Sequence, residues 1–169
     1  MIRQTLAILS LGIVIACGSP QQKAFEKLQS QEKAFYSEYR SKTLSKDGAV
    51  PMINKYKAFL AEHPDFEENP EIMLRYADIH MGTKNYFFAL EIYDQFEKKY
   101  PTHKKRAFVL FNKGYACELA YKDSKFSKHQ EFALFLYQEF LDKYPKHKLA
   151  KAVEISIAEI KAIQPEIRK

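Results

Sequence analysis

The chain is expected to be all-α, an α-α superhelix of about three helix–turn–helix repeats with a leading helix before them and a capping helix after. Three observations predict it. First, the segments 56–64, 93–101 and 137–145 align without gaps. Each opens on Tyr56, Tyr93 or Tyr137, carries Phe59, Phe96 or Phe140 three residues later, and closes on an aromatic-type residue (His63, Tyr100, Tyr144) followed by Pro64, Pro101 or Pro145. Second, a further pattern follows each proline at fixed distance: Ile72, Val109 or Val153, then Leu74, Phe111 or Ile155, then a small residue, Ala77, Gly114 or Ala158. Third, the 169 residues hold only five Gly and seven Pro but are 46% apolar and 14% aromatic, which excludes collagen-like, low-complexity and wholly disordered chains. Two Cys exclude a disulfide framework.

The elements follow in chain order. Residues 1–16 carry Arg3 as their only charge and an apolar run from Leu6 to Ala16. Eleven helical residues reach only ~16 Å, short of the roughly 20 residues a membrane span needs, so the run is expected to be a signal peptide. Residues 17–21 are expected to be a tether and 164–169 a tail around a repeat domain at 22–163. A leading helix is expected over about 22–44, with Phe25, Leu28, Phe35, Tyr36 and Tyr39 on one side. Six more are expected near 50–62, 70–82, 86–99, 104–121, 129–143 and 147–163.

A tyrosine and a phenylalanine three apart share a helix face. The proline that follows stops the helix, because it lacks an N–H and clashes with the preceding turn. Asn69 before Pro70 is expected to cap a helix start, and Lys46-Asp47-Gly48 and Gly82-Thr83 to be turns. Met52, Ala89 and Ala133, four residues before each Tyr, allow close helix approach. No helix of this kind buries its apolar stripe alone, so stacking supplies the core.

The run Val14-Ile15-Ala16-Cys17 resembles the lipobox of bacterial lipoproteins. That resemblance implies cleavage before Cys17 and lipidation of Cys17. An ordinary secretion signal, or a buried Cys in an apolar helix, is the alternative. Gly18 stands where enterobacterial lipoproteins retained at the inner membrane carry Asp. The resemblance therefore implies the outer membrane, facing the periplasm.

The repeat layout resembles the tetratricopeptide repeat. The middle unit matches best, through Ala77, Tyr86, Ala89, Tyr93, Phe96 and Pro101. Two departures are visible. Arg40 sits where a first unit would need a small residue. The spacing from small residue to Ala is 12 from Ala77 to Ala89 but 19 from Gly114 to Ala133, an insertion of seven around Tyr121–His129 between two helices. Lipobox, repeats and insertion together resemble BamD-type outer-membrane assembly lipoproteins, although those have more units. The Tol-Pal-associated division coordinator is similar in its repeats but is not lipidated.

No side chains suggest an enzyme or a cofactor. His63, His80, His103, His129 and His147 stand singly, without the i,i+4 pairing of a metal site, and there is no Gly-rich phosphate loop. His63 is expected to pack at a helix end and Cys117 in the core. Neither a small-molecule substrate nor nucleic acid is expected, despite a formal charge of +6, because export argues against nucleic acid.

The expected partners are envelope proteins, with the membrane reached through the lipid. Two surfaces are candidates for binding. The tetratricopeptide resemblance implies a concave face with Leu74, Asp78 and Met81 in one unit and Phe108, Phe111, Tyr115 and Glu118 in the next, although Phe108 and Phe111 could equally be core. The other is a basic edge at Lys98, Lys99, Lys104, Lys105 and Arg106, with Lys143, Lys146, Lys148 and Lys151 around Pro145. The matching turn at Pro64 is acidic, through Glu62, Asp65, Glu67 and Glu68. An edge of this kind would suit an acidic protein or anionic lipid, unless it is simply solvated. The function expected is a lipid-anchored scaffold or adaptor for outer-membrane protein assembly, with a cell-wall or division organiser as the alternative.

Overall fold

The computed structural model describes residues 19–39 and 45–163. Among these are seven α-helices and no strand: α1 Pro20–Tyr39, α2 Lys46–Glu62, α3 Asn69–Gly82, α4 Tyr86–Lys99, α5 Arg106–Ser124, α6 Ser127–Lys143 and α7 Ala150–Ala162. Each packs on the next in chain order. The segment expected to be a signal peptide, Cys17, Arg40 and residues 164–169 lie outside the described residues, as does the side chain of Tyr39.

The three proline segments build the same joint three times. The helix ends on His63, Tyr100 or Tyr144, with φ/ψ of −129/61°, −127/63° and −133/50°. Each donates its N–H to the carbonyl of Phe59, Phe96 or Phe140, at 2.8–2.9 Å. A ring two residues after the proline then stands edge-on to that same phenylalanine: Phe66 at 74°, His103 at 84° and His147 at 83°. His63 packs tilted against Phe59 as Tyr100 does against Phe96, with centroids 4.8 and 5.3 Å apart, so it does pack at a helix end.

The repeated positions form the core. Tyr56, Tyr93, Tyr137, Phe96, Phe140, Ile72, Val109 and Val153 are fully buried, and Phe59 nearly so. Gly114 is needed for one close approach: a Cβ there would lie 2.6 Å from two ring carbons of Tyr137. Ala77 is buried, whereas Ala158 on α7 is exposed.

Several expectations are corrected. Lys46–Gly48 is not a turn but the first turn of α2, because the Ser45 hydroxyl accepts from the Gly48 N–H at 3.0 Å and caps it. Asn69 does not cap α3. It is buried and donates through Nδ2 to the carbonyls of His63 and Pro64, at 2.6 and 3.0 Å, tying the first joint together. Pro20 and Gln21 belong to α1 rather than to a tether. The seven-residue insertion is not a loop: it lengthens α5 and α6, which meet at Lys125 and Phe126. Lys125 makes that tight turn in the left-handed region, at φ 57°.

Candidate functional site

Three surfaces are built on this frame. The first is the face shared by α3 and α5. Phe108, Phe111 and Tyr115 recur along one side of α5, at i, i+3 and i+7. Phe108 and Tyr115 are exposed, at 37% and 39%, while Phe111 is half-buried against the Phe140 cluster. The rings of Phe111 and Tyr115 stack at 11° with centroids 6.2 Å apart, which stiffens the pair. Asp78 is exposed and Met81 half-buried on α3. Partial desolvation of its carboxyl by the neighbouring helices raises the pKa of Asp78, with the Lys105 ammonium pulling the other way.

Two residues expected on this face are not available to a partner. Leu74 is 4% exposed and packs with Ala77, Tyr93 and Phe96. Glu118 is 3% exposed because it accepts from the Tyr137 hydroxyl and from Lys122 Nζ, both at 2.6 Å. Position 118 lies on the side of α5 that packs under α6, where the tyrosine hydroxyl needs an acceptor. The equivalent hydroxyl of Tyr56 is met by Glu32 at 2.6 Å, and Glu32 in turn by Arg75 at 2.8 Å. The buried hydroxyl of Tyr93 has no partner among the described residues.

The second surface is the proline edge. Its three joints lie side by side. Lys99 Nζ donates to the Pro64 carbonyl at 2.8 Å, and Lys105 pairs with Glu71 across two joints. Ala107 and Leu110, just after the second joint, share a core with Phe140 and Ala150 around the third. The expected basic edge is therefore not uniform. Lys98 and Lys104 are exposed, but Lys105 is engaged by Glu71, and Arg106 donates from Nη1 to the Pro101 carbonyl at 2.7 Å. These two act inside the molecule, Lys105 because the start of α3 sits within its reach and Arg106 because it folds back on its own joint.

The third surface was not expected. Lengthening α5 and α6 leaves a cleft of about 370 Å³ beside the start of α4, lined by Phe87, Phe88, Leu90, Cys117, Asp123 and His129 among others. Phe87 is 70% and Phe126 52% exposed. Asp123 accepts from Lys84 Nζ and from the Tyr86 hydroxyl at 3.1 Å, which lowers its own pKa. Burial and this carboxylate push Tyr86 up to about 12. Cys117 is buried, and burial pushes its thiol up to about 11, so it stays protonated and unreactive at neutral pH. The adjacent dipeptide Phe87-Phe88 before the buried Ala89 was the only sign of this cleft in the sequence.

Among the described residues no group of His, Cys, Asp and Glu is placed to hold a metal ion. No helix of these residues is long and apolar enough to cross a membrane. Comparison with protein-family models and with curated proteins finds no match.

Proposed function

We propose that this chain is a lipid-anchored periplasmic adaptor of the tetratricopeptide kind, which holds protein partners at the outer membrane in the service of outer-membrane protein assembly. The observation that carries it is the joint repeated three times with matching backbone angles, which sets α3 and α5 as like elements of an array. Such arrays act by presenting an extended face. Here that face offers two exposed rings, Phe108 and Tyr115, beside the carboxyl of Asp78. Rigid aromatics flanked by charge suit capture of a helix or an extended peptide. The lipid on Cys17 would raise the local concentration of the adaptor at the membrane.

The test is a pull-down with the full chain from detergent-solubilised envelopes. It is expected to retrieve a barrel-assembly component, and Phe108→Ala with Tyr115→Ala to cut capture about tenfold or more without lowering the Tm appreciably. Recovery of division or cell-wall proteins alone would replace this proposal with the organiser of cell-wall synthesis or division. Capture that is indifferent to both substitutions would contradict the face.

A further inference from the structure

The position of α1 decides which way the proline edge faces. Phe25, in the second turn of α1, packs on Phe66 and Phe59, with centroids 5.1 and 6.1 Å apart. Farther along α1, Glu32 reaches Tyr56, nearer the start of α2. The two helices thus run antiparallel, and α1 begins at the joint around Pro64. From Phe25 back to Pro20 is about 7–8 Å of helix. From Ser19 back to Cys17 is two residues, at most about 7 Å of chain. The residue proposed to carry the lipid is therefore tied within about 20 Å of the first joint, at the proline-edge end of α1.

The charge on that edge suits what the tether would bring to it. Lys98, Lys104, Lys146, Lys148 and Lys151 are exposed and have no carboxylate partner among the described residues. On the opposite edge Lys84 is tied to Asp123, Lys122 to Glu118, and Lys125 lies over the Tyr121 ring, which leaves Lys128 exposed without a carboxylate partner among the described residues. The acids Glu62, Asp65, Glu67 and Glu68 gather at the first joint, while the second and third joints carry the unpaired cations. Contact is accordingly set on the second and third joints.

We infer that the edge formed by the joints at Pro101 and Pro145 lies against anionic phospholipid headgroups of the membrane that holds the chain. This rests on the lipid-anchor proposal for Cys17. The favoured occupant is a bilayer rather than an acidic protein, because the short tether starts at this edge and brings a bilayer nearest to it. Juxtamembrane lysines gain from such a surface within a Debye length.

The test uses the full chain as bacteria produce it, reconstituted in phosphatidylglycerol-containing or pure phosphatidylcholine vesicles and footprinted by lysine acetylation. Labelling of Lys104, Lys146, Lys148 and Lys151 is expected to fall several-fold in the anionic vesicles, with Lys125 and Lys128 unchanged, and the protection to fade as salt rises. Equal labelling in both vesicles, or protection at Lys125 and Lys128 instead, overturns the inference. Protection by soluble polyglutamate but not by vesicles also overturns it and assigns the edge to an acidic protein. The mass of the Cys17 peptide reports the anchor separately. If Cys17 is unmodified, the anchor proposal fails, and attaching its thiol to a maleimide-headgroup lipid still lets the footprint decide on the edge; Cys117 is buried and does not compete.

Discussion

The two edges of the molecule are built on opposite principles. On the proline edge, three joints share backbone angles, an edge-on ring and a buried phenylalanine, although their surface charges differ in sign. On the other edge, the turn from α3 to α4 passes through Thr83, Lys84 and Asn85, and the turn from α5 to α6 through Lys125 and Phe126. Both place a lysine at positive φ, 59° and 57°, but the helices they join differ in length. The lesson is that packing constrains the first edge and spares the second. An edge that is spared can acquire a longer helix pair, a cleft and exposed rings without disturbing the core.

That contrast can be broken in four ways, from large effects to small. Phe96→Ala empties a fully buried site in the second joint and is expected to cost about 3–5 kcal/mol. Phe87→Ala on the other edge is expected to stay within about 0.5 kcal/mol. Urea unfolding of the pair checks both values, and equal losses would refute the contrast. Next, Gly114→Ala drives a methyl group into the Tyr137 ring and should destabilise by about 1–3 kcal/mol, despite the better helix propensity of Ala.

Third, Tyr137→Phe removes the donor from buried Glu118 and should cost about 1–2 kcal/mol. Tyr93→Phe, whose hydroxyl has no partner among the described residues, should be neutral or slightly stabilising in the same denaturation. Last, Lys125→Gly relieves a left-handed L-residue and should stabilise by about 0.5–1 kcal/mol. A loss of stability instead would mean that the contact of Lys125 with the Tyr121 ring outweighs the backbone.

How much of this was legible in the sequence depends on which edge is considered. The joints were readable because burial of a Tyr/Phe face and a terminating proline leave a fixed spacing. Residues such as Tyr93, Phe96 and Val109 fall where that spacing puts them. The turn at Lys46–Gly48 was misplaced because Asp and Gly are turn formers, whereas Ser45 supplies a cap that overrides them. Asn69 looked like a cap for the converse reason: its side chain turns back to the carbonyls of the preceding joint, a partner no local pattern announces.

The candidate face was half legible. Helical periodicity selects Phe108, Phe111 and Tyr115 together, but it does not tell that Glu118 lies under α6 or that Leu74 belongs to the core. Those depend on contacts with the following helix, Leu74 with Tyr93 and Phe96 on α4 and Glu118 with Tyr137 on α6. The basic edge was overread for a similar reason. A run of Lys and Arg looks free in sequence, while Lys105 reaches Glu71 over a separation of 34 residues.

The central proposal is that the face of α3 and α5 captures an envelope protein. In-cell photo-crosslinking compares it most directly with the rest of the molecule, using a crosslinker placed singly at Phe108 and at the exposed Phe132 on α6. The proposal predicts a discrete crosslinked envelope protein from position 108, absent from position 132. Products from position 132 alone, or from neither position, would contradict it.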